Sequence, residues 1–78
     1  MVIKMDKEVI AILKSIEPNS NFESSTDFFE DELIDSFGVM TLITLLERHF
    51  HISIRAEDIS ADNFMNLECI ALLLKKYI

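Results

Sequence analysis

The stretch Leu33-Ile34-Asp35-Ser36-Phe37-Gly38 runs straight into Val39-Met40-Thr41-Leu42-Ile43-Thr44-Leu45-Leu46-Glu47-Arg48-His49-Phe50, and the change of pattern at Ser36 decides the fold. Val39, Leu42, Ile43, Leu46 and Phe50 recur at i, i+3, i+4, i+7 and i+11, the spacing of one apolar stripe on a helix over residues 36–50. Phe37, Met40, Thr41, Thr44, Glu47 and Arg48 fall on the outward side. Ser36 therefore stands at a helix N-terminus, where unpaired backbone N–H groups and the helix dipole favour an attached or bound anion. An ordinary N-cap at Asp35 or Ser36 accounts for the same letters. Gly38, in the first turn, costs the helix about 1 kcal/mol relative to Ala and leaves the backbone open to close approach by a partner. Met40 is expected in an exposed, partner-binding patch, since Met and aromatic residues are enriched at such surfaces. Phe37 either joins it or folds back onto the preceding loop as core.

Upstream, residues 17–35 carry turn chemistry in Pro18-Asn19-Ser20-Asn21 and Ser24-Ser25-Thr26-Asp27, with no helical period. A loop this long inside a compact domain is usually functional or disordered. Disorder would expose Phe22, Phe28, Phe29, Leu33 and Ile34, each worth ~1.5–3 kcal/mol when buried. The expectation is a loop pinned across the helices by these side chains, holding Ser36 in a fixed place at the surface. Before the loop, Met5, Val9, Ile12, Leu13 and Ile16 make one apolar face of a helix over residues 3–17, with Lys4 and Glu8 paired at i,i+4 and Pro18 as the stop.

Downstream, Phe50-His51-Ile52-Ser53-Ile54 alternates like a strand but has no second strand to pair with, so a connector with Ile52 and Ile54 turned inward is expected. Arg55-Ala56-Glu57-Asp58-Ile59 reads as a short helical turn closed by Ser60-Ala61-Asp62-Asn63. A last helix starts after Asn66, a good N-cap, with Leu67, Ile70, Ala71, Leu74 and Tyr77 facing the core and Lys75 and Lys76 at its negative end. Cys69 reads as a small buried hydrophobe.

The 78 residues make one domain (1–78), half of them apolar, enough for one core without metal or disulfide staples. A lone cysteine fits a reducing compartment, and the absence of a leader or of an apolar run near ~20 residues leads to a cytoplasmic expectation. The net charge of −7 argues against nucleic acid and allows steering toward basic partners. No Gly-rich phosphate loop, His-Glu-x-x-His, paired cysteines or Gly-x-Ser-x-Gly elbow occurs, so no catalytic residue and no metal site are expected, and the chain is not read as an enzyme.

Taken in order, Phe28-Phe29-Glu30-Asp31, Leu33 ahead of Asp35-Ser36, the Leu42/Leu46/Phe50 helix and the closing Phe64, Asn66-Leu67-Glu68 and Ile70 resemble the acyl carrier protein family over nearly the whole chain. The resemblance implies an all-α bundle of three main helices plus one short helix, with a long first loop. It implies 4′-phosphopantetheine, drawn from coenzyme A, attached covalently to Ser36. Asp35 is the motif neighbour that helps present the serine. An acyl or aminoacyl group would travel on that arm as a thioester. The implied partners are a phosphopantetheinyl transferase, a loading enzyme and a downstream acyltransferase or synthase, met by a monomer through Phe37, Met40, Thr44 and Glu47. Magnesium belongs to the transferase reaction.

Two departures stand out. Fatty-acid carriers have a strongly acidic second helix, whereas here Glu47 faces Arg48 and acidity collects at Asp27, Glu30, Asp31, Glu32 and Asp35. The sequence looks more like the D-alanyl or free-standing peptidyl carrier branch. Many relatives have Gly where Glu32 stands, so the turn there is expected to differ. The competing class is a non-catalytic interaction module with the same fold and no prosthetic arm.

Overall fold

A computed structural model describes residues 4–78, with side chains from Asp6 onward. Four helices follow one another: α1 Lys4–Ile16, α2 Ser36–Phe50, α3 Ala61–Phe64 and α4 Leu67–Leu74, with single 3₁₀ turns at Phe22–Ser24 and Ala56–Asp58. The expectations for Ile3 and for the side chains of Lys4 and Met5 lie outside the described residues. Glu8 Oε1 lies 3.2 Å from His49 Nε2. That contact joins the start of α1 to the end of α2. Ile16 and Gly38 border a common cleft at the opposite ends, so the two helices are antiparallel.

The core forms where the apolar stripes meet. Val9 and Leu13 of α1, Leu42 and Leu46 of α2, and Ile70, Leu73 and Leu74 of α4 are almost fully buried, with Val39 and Ile43 behind them. Phe22 and Phe28 from the first loop and Phe64 from α3 complete it. Phe22 and Phe28 meet edge to face, ring centroids 5.1 Å apart, a favoured aromatic geometry. Residues 17–35 are thus a pinned loop, as expected, with Phe29 and Leu33 half-buried over the core.

Its backbone is tied as firmly as its side chains. Asp27 Oδ1 accepts the N–H groups of Phe29 and Glu30 at 3.0 and 3.1 Å, and Ser25 Oγ donates to Asp31 at 2.6 Å. Two bonds cross to the far end of the chain. Phe28 N–H donates to the Met65 carbonyl at 2.6 Å, and Asn66 Nδ2 donates to the Thr26 carbonyl at 3.0 Å. Asn66 also caps α4, its Oδ1 accepting the Cys69 N–H at 2.8 Å, so one side chain starts the last helix and anchors the first loop.

After α2 the chain turns through His51, whose φ of 57° is the left-handed C-cap conformation. No strand forms in the connector. Ile54 is buried and Ile52 half-buried, as the pattern required. The short helix is displaced from its expected position. Residues 56–58 make only a 3₁₀ turn, while the segment read as a closing turn over Ser60–Asn63 instead opens the one-turn helix α3, Ala61–Phe64. Asp58 ties this region to the C-terminus. Its carboxylate accepts from the Tyr77 hydroxyl and lies 3.5 Å from Lys76 Nζ, and its carbonyl accepts from Asn63 Nδ2 at 2.7 Å. The Tyr77 hydroxyl and then the Lys76 ammonium hold this carboxyl below the ordinary range, against the opposing effect of its burial.

Candidate functional site

Ser36 is the first residue of α2 and is exposed. Asp35 takes the cap role, its Oδ1 accepting the Gly38 N–H at 2.8 Å, so the serine hydroxyl is not spent on closing the helix. Gly38 N–H goes to that carboxylate and Val39 N–H to the Asp35 carbonyl. The N–H groups of Ser36 and Phe37 are the two first-turn donors the cap leaves over. An anion esterified to Ser36 would sit beside these donors at the positive end of a fifteen-residue helix dipole.

The approach to Ser36 is held from both sides. Leu33 N–H donates to the Phe28 carbonyl at 2.8 Å, and Ile34 is buried beneath the first turn of α2. A Cβ on Gly38 would lie 2.7 Å from Ile34 Cγ1. The chain's own Ile34 therefore requires glycine at this position. Glu32 has φ 57°, the left-handed region that glycine enters freely. The residue standing where the resembled family has glycine thus keeps the backbone that glycine favours.

Phe37 and Met40 are 79% and 64% exposed, which resolves Phe37 in favour of the surface. Thr44 is exposed on the same flank, its hydroxyl donating to the Met40 carbonyl at 3.1 Å. Glu47 differs from the outward position expected of it. It is half-buried, and its Oε2 accepts the Ile54 N–H at 2.9 Å, which leaves Arg48 as the exposed charge of the pair.

Beside Ser36 lies a feature not legible in the sequence. A half-open cleft of about 490 Å³ separates the end of α1 from the loop and the start of α2. Ile16, Phe29, Leu33 and Ile34 line it, together with Glu17, Glu32, Asp35 and Gly38. Among the described residues, no three potential metal ligands cluster, and no helix is long and apolar enough to cross a membrane.

A family model described as "Phosphopantetheine attachment site" matches residues 7–74. The chain belongs to the acyl carrier protein family. As a carrier domain it bears covalent 4′-phosphopantetheine, and the helical bundle expected of the family is the one found. Comparison with curated proteins and with solved structures gave no match. The site fits the group: an exposed serine, a cap supplied by its neighbour, and two open N–H donors for the phosphodiester.

Proposed function

We propose that this carrier domain takes 4′-phosphopantetheine on Ser36 and delivers an acyl or aminoacyl thioester between partner enzymes, catalysing nothing itself. The observation that carries the assignment is the position of Ser36 at the start of α2 with its hydroxyl left unspent by the cap. The other serines are placed differently. Ser15 and Ser24 donate to backbone carbonyls and Ser25 to Asp31. Ser20 and Ser53 lie in connecting segments, and Ser60 precedes a helix of only four residues.

In the modifying reaction the Ser36 oxygen attacks the phosphorus that bears pantetheine in coenzyme A. The P–O bond to the adenosine bisphosphate breaks, that group leaves, and the serine proton passes to a base of the transferase. Phe37, Met40 and Thr44 form the contact face. A face this apolar and nearly neutral supports the D-alanyl or free-standing peptidyl branch over an acidic fatty-acid carrier. Intact mass after incubation with coenzyme A, magnesium and a broad-specificity phosphopantetheinyl transferase should rise by one phosphopantetheine, and should not rise for Ser36→Ala. A folded wild-type chain that stays unmodified would favour the interaction module.

A further inference from the structure

The segment that delivers Ser36 is held by bonds of two kinds. Local ones give it shape. Asp27 Oδ1 accepts the N–H groups of Phe29 and Glu30, and the Phe28 carbonyl accepts those of Leu33 and Ile34 at 2.8 and 3.4 Å. Ile34 is buried, and it directly precedes the Asp35 cap. Two long-range hydrogen bonds then set this shaped segment against the rest of the bundle, and both come from the junction of α3 and α4. Phe28 N–H donates to the Met65 carbonyl, and Asn66 Nδ2 donates to the Thr26 carbonyl at 3.0 Å. Of these two ties, only the second is made by a side chain.

The asparagine amide suits two tasks at once, because it carries an acceptor and a donor on one planar group. Oδ1 takes the Cys69 N–H at 2.8 Å and caps α4, while Nδ2 ties down the loop. An ionised Asp has the same shape and caps as well, but has no hydrogen to give. Ser also caps, yet its single oxygen stops one bond short of the Nδ2 position. We propose that Asn66 is a positioning residue for the modification of Ser36: its tie to Thr26 sets how much of the time the loop presents the serine to the transferase. The proposal rests on attachment at Ser36 and goes beyond it by giving that reaction a determinant outside the attachment motif. A transferase that accepts only the pinned loop binds with an apparent affinity scaled by the fraction of chains in that state. Loss of the tie therefore raises KM and leaves kcat as it is.

The test compares the full wild-type chain with Asn66→Asp and Asn66→Ser. Intact mass follows the transferase reaction, with coenzyme A and magnesium, over a range of carrier concentrations. Amide hydrogen exchange on the same proteins separates cap from tie, since the Cys69 N–H reports the first and the Phe28 and Leu33 N–H groups report the second. In both variants Cys69 protection should stay near that of wild type. Protection at Phe28 and Leu33 should fall roughly fivefold, the weight of one net hydrogen bond, and KM should rise by a similar factor with kcat unchanged. Asp58→Asn, which weakens the C-terminal contacts and keeps the tie, should show the wild-type KM, so a general loss of stability is told apart. An unchanged KM in both variants, or an equal rise in Asp58→Asn, overturns the proposal. So does a fall of Cys69 protection alongside that of the loop, which would make Asn66 a cap alone. A rise confined to Asn66→Asp would assign the effect to the added charge and overturn it too. Each of these leaves attachment standing, whereas a wild-type chain that takes no mass increment overturns attachment at Ser36, and this proposal with it.

Discussion

Gly38 and Glu32 show how the attachment loop is held at the level of single atoms. Replacing Gly38 by Ala would gain helix propensity of about 1 kcal/mol, yet the new Cβ would meet Ile34 Cγ1 at 2.7 Å and Asp35 Oδ1 at 3.4 Å. Overpacking of this kind costs about 1–3 kcal/mol, and Ile34 is too deeply buried to move aside cheaply. Gly38→Ala should therefore destabilise. In an Ile34→Ala background, where Cγ1 is gone, the same change should stabilise. Urea midpoints for the four corners of that cycle check it, and a Gly38→Ala effect of one sign in both backgrounds would refute the steric argument. Glu32 presents the opposite case. A side chain at φ 57° is disfavoured, and relieving it with Gly should raise stability by about 0.5–1 kcal/mol after the added freedom of the unfolded chain is counted. A lowered midpoint for Glu32→Gly would mean that the Glu32 side chain contributes more than its backbone costs.

At the level of the element, α2 divides into one buried and one exposed stripe, and truncations should report that division. Leu46→Ala removes a fully buried side chain and should cost about 2–5 kcal/mol. Met40→Ala, on the exposed side, should cost far less by the same denaturant titration. Comparable losses would mean that the two faces are wrongly assigned. The bounds of α2 were legible in the sequence because a five-residue apolar stripe and an N-capping Asp mark the start independently of tertiary context. Asn66 announced α4 in the same way. Helix α3 was not legible, since four residues cannot display a period of 3.6. Leu73 was passed over because Leu72, Leu73 and Leu74 are equally apolar, and only packing decides that Leu72 stays outside. Glu47 looked like a surface charge because its partner, the Ile54 N–H, belongs to a connector whose path the letters do not encode. The same holds for the cleft, which exists only once α1, the loop and α2 are brought together.

Across the whole molecule, Asp58 links pH to stability. Its folded carboxyl titrates below the ordinary value, chiefly through the Tyr77 hydrogen bond. The stabilisation is fully present above the unfolded value near 4 and is lost as pH falls through the folded one. Asp58→Asn should therefore be less stable than wild type at pH 7, with the gap narrowing steadily toward pH 3. A gap independent of pH would assign the residue a purely neutral role. The bonds from Phe28 to Met65 and from Asn66 to Thr26 have a consequence for the order of events in the cell. They join the approach to Ser36 to residues near the end of the chain, and α4 finishes only at Leu74. During synthesis the serine leaves the ribosome well before the residues that set its loop. A transferase meeting the nascent chain finds the right letters in an unformed site, and the pinned presentation of Ser36 is completed only once α4 has been made and has folded.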